Sequence, residues 1–217
     1  MEQAVIACVD DSANDRAVVR WAEQEASLRG LPLREVHGAV PYAAKLVVAG
    51  VQRLDTAAFS ACPVVLVPPQ PDLRQAVHPV AEIVLGLNAR EPAAGAVDFA
   101  CETARLWDVR LRAVHAWQLP PCAAELPFGV PEEDRGAWED QEVQLLADAL
   151  RPWREKCPEL HVLADVRLFT PAQALLQGSA SAGLVVVGRG LRGGPGTVAP
   201  LLLRDARCPV AVVSSIG

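Results

Sequence analysis

Lysine is scarce in this chain, which holds two lysines among its 20 basic residues against 26 acidic ones, for a net charge of −6. Such a surface repels a nucleic-acid backbone, and no basic stripe interleaved with aromatics offsets it, so nucleic acid is excluded as a partner. The 18 arginines are scattered and read as the imprint of a GC-rich bacterial genome rather than as a binding surface. Long apolar runs are also missing. None approaches the ~20 residues needed to span a bilayer, and no charged-then-apolar leader opens the chain, so we expect a cytoplasmic protein with no membrane partner.

The six cysteines (Cys8, Cys62, Cys101, Cys122, Cys157 and Cys208) lack C-x-x-C spacing, which removes the usual metal-site pattern. Several fall within apolar segments, where a reduced thiol behaves as a small hydrophobic group. There is no G-x4-G-K-[ST] loop, no G-x-S-x-G elbow, no HExxH and no motif joining a cysteine to a histidine. No catalytic residue is therefore proposed from sequence, and the expectation is a protein that is not an enzyme, with slow ATP hydrolysis left open.

What the chain does have is a core and a repeat. At 217 residues and 51% apolar composition it can fold as one large domain or two small ones. The segment "AVIACVDDSANDRAVVRWAEQEASLRGLPLREVHGAV" from Ala4 resembles "AEIVLGLNAREPAAGAVDFACETARLWDVRLRAVHAW" from Ala81. Each begins with an apolar strand, Val5 to Val9 or Ile83 to Leu87, and turns at polar residues. Each continues with apolar residues at helical spacing: Ala17, Val18, Trp21 and Leu28 in one, Val97, Cys101, Ala104 and Trp107 in the other. Both then enter a strand ending in Val-His.

A second echo, "KLVVAGVQRLDTAAFSACPVVLVPP" against "AGLVVVGRGLRGGPGTVAPLLLRDARCPVAVVSS", closes each copy with strand, loop, short helix, Cys-Pro and strand. Between the copies "PPQPDLRQAVHP" carries four prolines and no periodicity. The expected organisation is a truncated domain at 1–69, a linker at 70–79 and a full domain at 80–217. The second copy alone has an acidic helix with Trp138, Val143, Leu146, Leu150 and Trp153 on one face, a strand from His161 to Leu168, and a helix opening at Pro171. The first has lost a helix, a strand and another helix. A half of that size buries only ~60% of its unfolded surface and is expected to lean on its partner. Alternating strands and helices predict an α/β fold with parallel sheets, and such sheets place ligands beyond the carboxyl ends of their strands.

One loop raises the question of function. After the apolar run Leu184 to Val187, "GRGLRGGPGT" spells G-x-G-x-x-G over 188–193, but a dinucleotide fingerprint belongs in the first strand-helix unit, and only 27 residues follow Gly190. With "VIACVDDS", "VVVG", "TPAQALL" and "GTVAPLLLRDARCPVAVV", the chain resembles the universal stress protein family in its tandem two-domain form. The resemblance implies flavodoxin-like sheets in the order 3-2-1-4-5, with the halves paired through their last strands as an intramolecular pseudo-dimer. A homodimer is the other pairing.

Many members of that family bind ATP or a related nucleotide, with an acid ending strand one and a loop G-x2-G-x9-G-[ST] after strand four. Carried over, these imply Asn88, Gly188, Arg189, Gly190, Arg192, Gly196 and Thr197 in the second half and Asp10 in the first as candidate nucleotide residues, with ATP or AMP as the cofactor if there is one. The loop departs from the pattern: one residue separates Gly188 from Gly190 and five separate Gly190 from Gly196. Asn88 replaces the acid, and the first half keeps Asp10 but has only Gly50 in its own loop. Neither half carries the whole pattern.

Two readings of the loop stay open, a phosphate cradle or a tight strand-to-helix turn, and the sequence favours the turn. Arg189 and Arg192 would give a poor site affinity for phosphate or for an acidic partner. Asp11 and Ser12 read as helix caps, His37 and His115 as strand ends near a cleft, and the acidic run Pro131 to Glu142 as a solvated helix face rather than a docking surface. The expected function is a non-catalytic stress-response or regulatory module with weak or lost nucleotide binding. The alternatives are an ATP- or AMP-binding sensor and a scaffold for a protein partner.

Overall fold

Strands buried on both faces need apolar residues at every position, and that is what "AVIACV", "VVLV" and "VVV" supply. The computed structural model describes residues 3–38, 44–55, 61–69, 82–120, 123, 130–189 and 197–214; the expected linker at 70–79 and Cys122 lie outside them. In chain order the elements are β1 (Ala4–Val9), α1 (Asp15–Arg29), β2 (Leu33–His37), β3 (Ala44–Gly50), β4 (Val64–Val67), β5 (Glu82–Gly86), α2 (Ala94–Trp107), β6 (Arg110–Trp117), α3 (Glu132–Lys156), β7 (Val162–Leu168), α4 (Pro171–Ser179), β8 (Ala182–Gly188), α5 (Val198–Asp205) and β9 (Val210–Val213).

The expected parallel sheets are present, and they join edge to edge into one. The nine strands run β2-β1-β3-β4-β9-β8-β5-β6-β7. Read from its outer edge toward the middle, the second half has the order 3-2-1-4-5, and the first has the same order without its third strand. Every pairing is parallel except β4 with β9. That junction pairs Val64 with Val212, Val65 with Ala211 and Leu66 with Val210. Because Val65 and Ala211 hold equivalent places beside β3 and β8, a pseudo-twofold axis passes between them.

Alternate strand residues feed two cores. Val5, Ala7, Leu46 and Val48 face the side that carries α1, α2 and α3, while Ile6, Cys8, Val47 and Ala49 face the side that carries α4 and α5. The helix ends are set locally. The left-handed residues Gly30 (φ 61°) and Asp108 (φ 54°) stop α1 and α2 at the same distance beyond Asp10 and Asn88. Thr170 and Gln173 form a capping box that starts α4, with Pro171 in its first turn.

The axis also relates α1 to α2. Pairing registers make Trp21 equivalent to Phe99, Glu25 to Thr103 and Arg29 to Trp107. Across the axis Trp21 meets Trp107 edge to face at 6.2 Å, and its symmetry mate is Arg29 over the Phe99 ring at 5.4 Å. Trp107 Nε1 donates to Glu25 Oε1 at 2.6 Å, and its mate is Arg29 donating to Thr103 Oγ1 at 2.9 Å. Buried Glu25 also takes Arg29 Nε at 2.9 Å, so its charge is paired inside the junction.

Candidate functional site

The carboxyl ends of the strands form one cleft per half, and β-sheet pairing makes Asp10 and Asn88 equivalent at their first-strand ends. In the first half the chain turns through Asp11 with φ 61°, and α1 starts at Asp15 behind Asn14. Asp11 and Ser12 do not cap the helix as expected. Ser12 Oγ donates instead to Asp15 Oδ1 at 2.9 Å, and Asn14 turns its amide to Val67 O at 2.9 Å, tying the helix start to the end of β4.

Asp10 is exposed but occupied. Gln52 Nε2 donates to its Oδ2 at 3.0 Å, and hydrogen bonds from Gln52, then Ser12, hold the carboxyl below its ordinary range. The Gln52 amide also fills the space beside Gly50 that a Cβ there would need. The single turn Val51–Arg53 that follows β3 thus folds back over the acid.

In the second half Asn88 is exposed at the end of β5 and closes a local turn, its Oδ1 accepting from Arg90 N at 3.2 Å. Behind this turn lies a buried network. Arg90 donates to both oxygens of Glu142, at 2.8 and 2.5 Å, and Glu142 Oε2 lies 2.9 Å from His115 Nε2. His115 Nδ1 faces Leu87 O at 3.1 Å and Ala89 N at 3.4 Å. The Arg90 bonds, and after them the His115 contact, hold the Glu142 carboxyl below the usual glutamate range against the opposing effect of burial. Arg90, two residues from Asn88, is therefore already paired.

The glycine-rich loop is reached from its two ends. Gly188 ends β8, and a Cβ added there would come within 2.6 Å of Ala93 Cβ, so glycine is required by the approach of the β5–α2 segment to the strand. Arg189 is half-buried and its backbone N–H bonds Val213 O at 2.7 Å, which extends the β8–β9 pairing. Thr197 is exposed at the start of α5 and makes no side-chain capping bond to that helix. Gly190, Arg192 and Gly196 lie outside the described residues. The described ends thus give Gly188 a packing role and leave Thr197 facing outward.

The first half also shows what its missing helix leaves behind. A groove of about 630 Å3 lies beside α1 and β2, lined by Val9, Val19, Arg20, Glu23, Glu35 and His37 among others. Their counterparts underlie or flank α3 in the second half: Arg20 answers to Asp98, Glu23 to Cys101, Glu35 to Ala113 and His37 to His115. Asp98 bonds Trp153 Nε1 at 3.0 Å and Lys156 Nζ at 2.7 Å, whereas Cys101, Ala113 and His115 are buried. Where the helix is lacking, two of these positions carry glutamates.

Sequence reasoning missed Glu142, Arg90 and Gln52. It placed Val143 on the inward face of α3, yet Val143 is 48% exposed and Glu142 is buried. The available signal was spacing, since Glu142 stands four residues from both Trp138 and Leu146. Gln52 and Arg90 have no such signal. Among the described residues no group of three His, Cys, Asp or Glu is placed to hold a metal ion, and no helix is long and apolar enough to cross a membrane.

Comparison with known proteins places this architecture among relatives. The model of the universal stress protein family matches residues 80–214. One universal stress protein of Mycobacterium tuberculosis is 32% identical over 156 residues, covering 69% of this chain and 48% of the relative. Another from the same organism is 36% identical over 137 residues, covering 61% and 45%. The chain spans about half the length of these curated relatives. A universal stress protein of Archaeoglobus fulgidus shares the fold with a TM-score of 0.53 at 13% identity, over 99% of this chain and 86% of that one.

Proposed function

The chain belongs to the universal stress protein family, and on that premise we propose that it acts as a non-catalytic stress-response or regulatory module that has kept the family's paired sheets while nucleotide binding has become weak or been lost. One observation carries this reading: in both clefts the polar groups at the strand ends are engaged by the protein's own side chains. Asp10 is held by Gln52, and Arg90 is held by Glu142 at the turn that carries Asn88. A ligand must displace the first contact, and it finds the second cation already neutralised.

The described residues do not fit a triphosphate cradle of the family's form. Ala93 packing against Gly188 accounts for that glycine without a phosphate, and the acid position holds neutral Asn88. A nucleotide sensor is the second reading, favoured by the exposed Thr197 hydroxyl, which does not cap its own helix. A protein scaffold is less well supported. The groove left by the missing helix carries Glu23 and Glu35 where the second half has Cys101 and Ala113, a change that suits water.

Calorimetric titration of the purified chain with magnesium ATP and with AMP tests the reading, after the denatured supernatant has been checked for co-purified nucleotide. No heat up to about millimolar ligand is expected, a bound free energy no better than ~4 kcal/mol. Micromolar binding that disappears in Thr197→Val would overturn the proposal in favour of the sensor.

A further inference from the structure

The buried network behind Asn88 has a property that packing alone does not require. His115 is 2% exposed and its ring is held at both nitrogens. Nε2 lies 2.9 Å from Glu142 Oε2; since that carboxyl is doubly bonded by Arg90 and held in its charged form, it can only accept, and Nε2 carries a proton. Nδ1 is left to choose. Within reach are an acceptor, Leu87 O at 3.1 Å, and a donor, Ala89 N–H at 3.4 Å, on either side of Asn88. Neutral imidazole accepts from Ala89 and turns a lone pair toward the Leu87 carbonyl. Imidazolium donates to Leu87 and turns an N–H toward that of Ala89. Each protonation state satisfies one of these backbone groups and opposes the other.

We propose that His115 is a positioning residue for the Leu87–Asn88–Ala89 segment, and that its protonation switches which side of Asn88 is held, making the shape of this strand end pH-dependent. Glu142 and Arg90 set the switch from outside the ring. Glu142 contacts Nε2, and Arg90 shares the same carboxylate. The other neighbouring elements supply no competing charge from the described residues. On β7 the residue paired with His115 is Val166, while Asp165 and Arg167 face the opposite side and bond Arg112 and each other. On α2, Asp98 is engaged by Trp153 and Lys156, and Glu102 by Arg29. The equivalent residue in the first half, His37, has a side chain 66% exposed and lies 3.9 Å from Asp11, so it provides an internal control. The inference concerns the protein's own backbone and stands whether or not a nucleotide binds.

The test is NMR titration of the isotope-labelled full chain between about pH 5 and 8, the interval in which histidine ordinarily changes charge. The observed signals are the ring nitrogens of His115 and His37, the Ala89 amide and the Leu87 carbonyl. The expected result is that Ala89 and Leu87 shift with the midpoint of the His115 ring and in opposite hydrogen-bonding senses: Leu87 bonded at low pH, Ala89 at high pH. Arg90→Gln and Glu142→Gln, which alter the partner of Nε2, should move the ring and both backbone signals together. Backbone signals that stay flat while the ring titrates would overturn the proposal, as would a ring that holds one charge throughout the range. A purely structural histidine would leave the Ala89 and Leu87 signals independent of its charge.

Discussion

The two halves put the same histidine at the same place on the same strand and treat it oppositely. His115 lies under α3, bonded to Glu142; His37 stands at the open groove with a side chain 66% exposed. The difference traces to one deletion. Without a counterpart of α3, the first half has no apolar cover for the outer face of α1 and β2, and that face carries Arg20, Glu23 and Glu35 in its place. Loss of a covering helix has been met by a change of surface. The junction between the halves is unchanged in plan, with β4 against β9 and α1 against α2 about one axis. The truncated half thus keeps its second core face and its sheet continuity through its neighbour.

Substitutions at symmetry-related positions measure how equal the two sides of this junction are. The largest effect is expected at Glu25, whose carboxylate is fully buried and joins Arg29 to Trp107. Glu25→Ala leaves Arg29 buried with less of its pairing and should cost about 3 kcal/mol, in the range for breaking a buried ion pair. At the equivalent position Thr103→Val removes one neutral acceptor while Arg29 keeps Glu25 and Glu102, and should cost about 1 kcal/mol. Urea unfolding of the full chain provides both values. Equal costs would mean that the junction is energetically symmetric and that the paired charge adds nothing particular to it.

The strand-end glycines Gly50 and Gly188 form a second matched pair. A methyl group at Gly188 meets Ala93 Cβ at 2.6 Å, between two backbone elements that cannot easily part, so Gly188→Ala should destabilise by about 1–3 kcal/mol. At Gly50 the obstacle is the tip of Gln52, a flexible side chain that can swing away. Gly50→Ala should cost less than about 1 kcal/mol and release Asp10, visible as a rise of its carboxyl midpoint toward the ordinary value near 3.8. An undisturbed Asp10 would show that Gln52 is not what holds it.

The repeat, the order of elements and the truncation were legible because strands buried on both faces announce themselves as apolar runs, and a missing unit shows as a missing stretch of chain. The join at the last strands was an expectation of the resemblance alone, and the structure pairs "VVLV" with "VAVV" there. Polar residues that become buried were not legible. Glu25 and Glu142 sit on faces that helical spacing assigns to apolar side chains, while Leu28 and Val143, expected to face inward, are 40% and 48% exposed. Their burial is decided by Arg29, Trp107, Arg90 and His115, partners brought together largely by tertiary folding, and periodicity within one helix carries no record of those contacts. In the loop after β8 the sequence left a cradle and a tight turn open and favoured the turn, and the reason for Gly188 lay across the fold in Ala93.

Acid provides the finest discrimination between the halves, because each cleft holds one carboxyl below its usual range for a different reason. Glu142 is depressed chiefly by the hydrogen bonds from Arg90 and is mostly buried; Asp10 is depressed chiefly by Gln52 and is fully exposed. A carboxyl whose pKa is lower in the folded than in the unfolded state contributes stability above its unfolded value, and the contribution disappears as pH falls through the folded value. For Glu142 the loss begins near 4.5 and is complete only below its depressed folded value. Thermal melts from neutral pH downward should therefore show Glu142→Gln less stable than the unmodified chain near neutrality, with the gap closing below about pH 4. Asp10→Asn should leave the curve almost unchanged, since water screens an exposed contact. If instead both substitutions shift the acid limb alike, the two clefts are equivalent in their electrostatics and burial under α3 does not distinguish them.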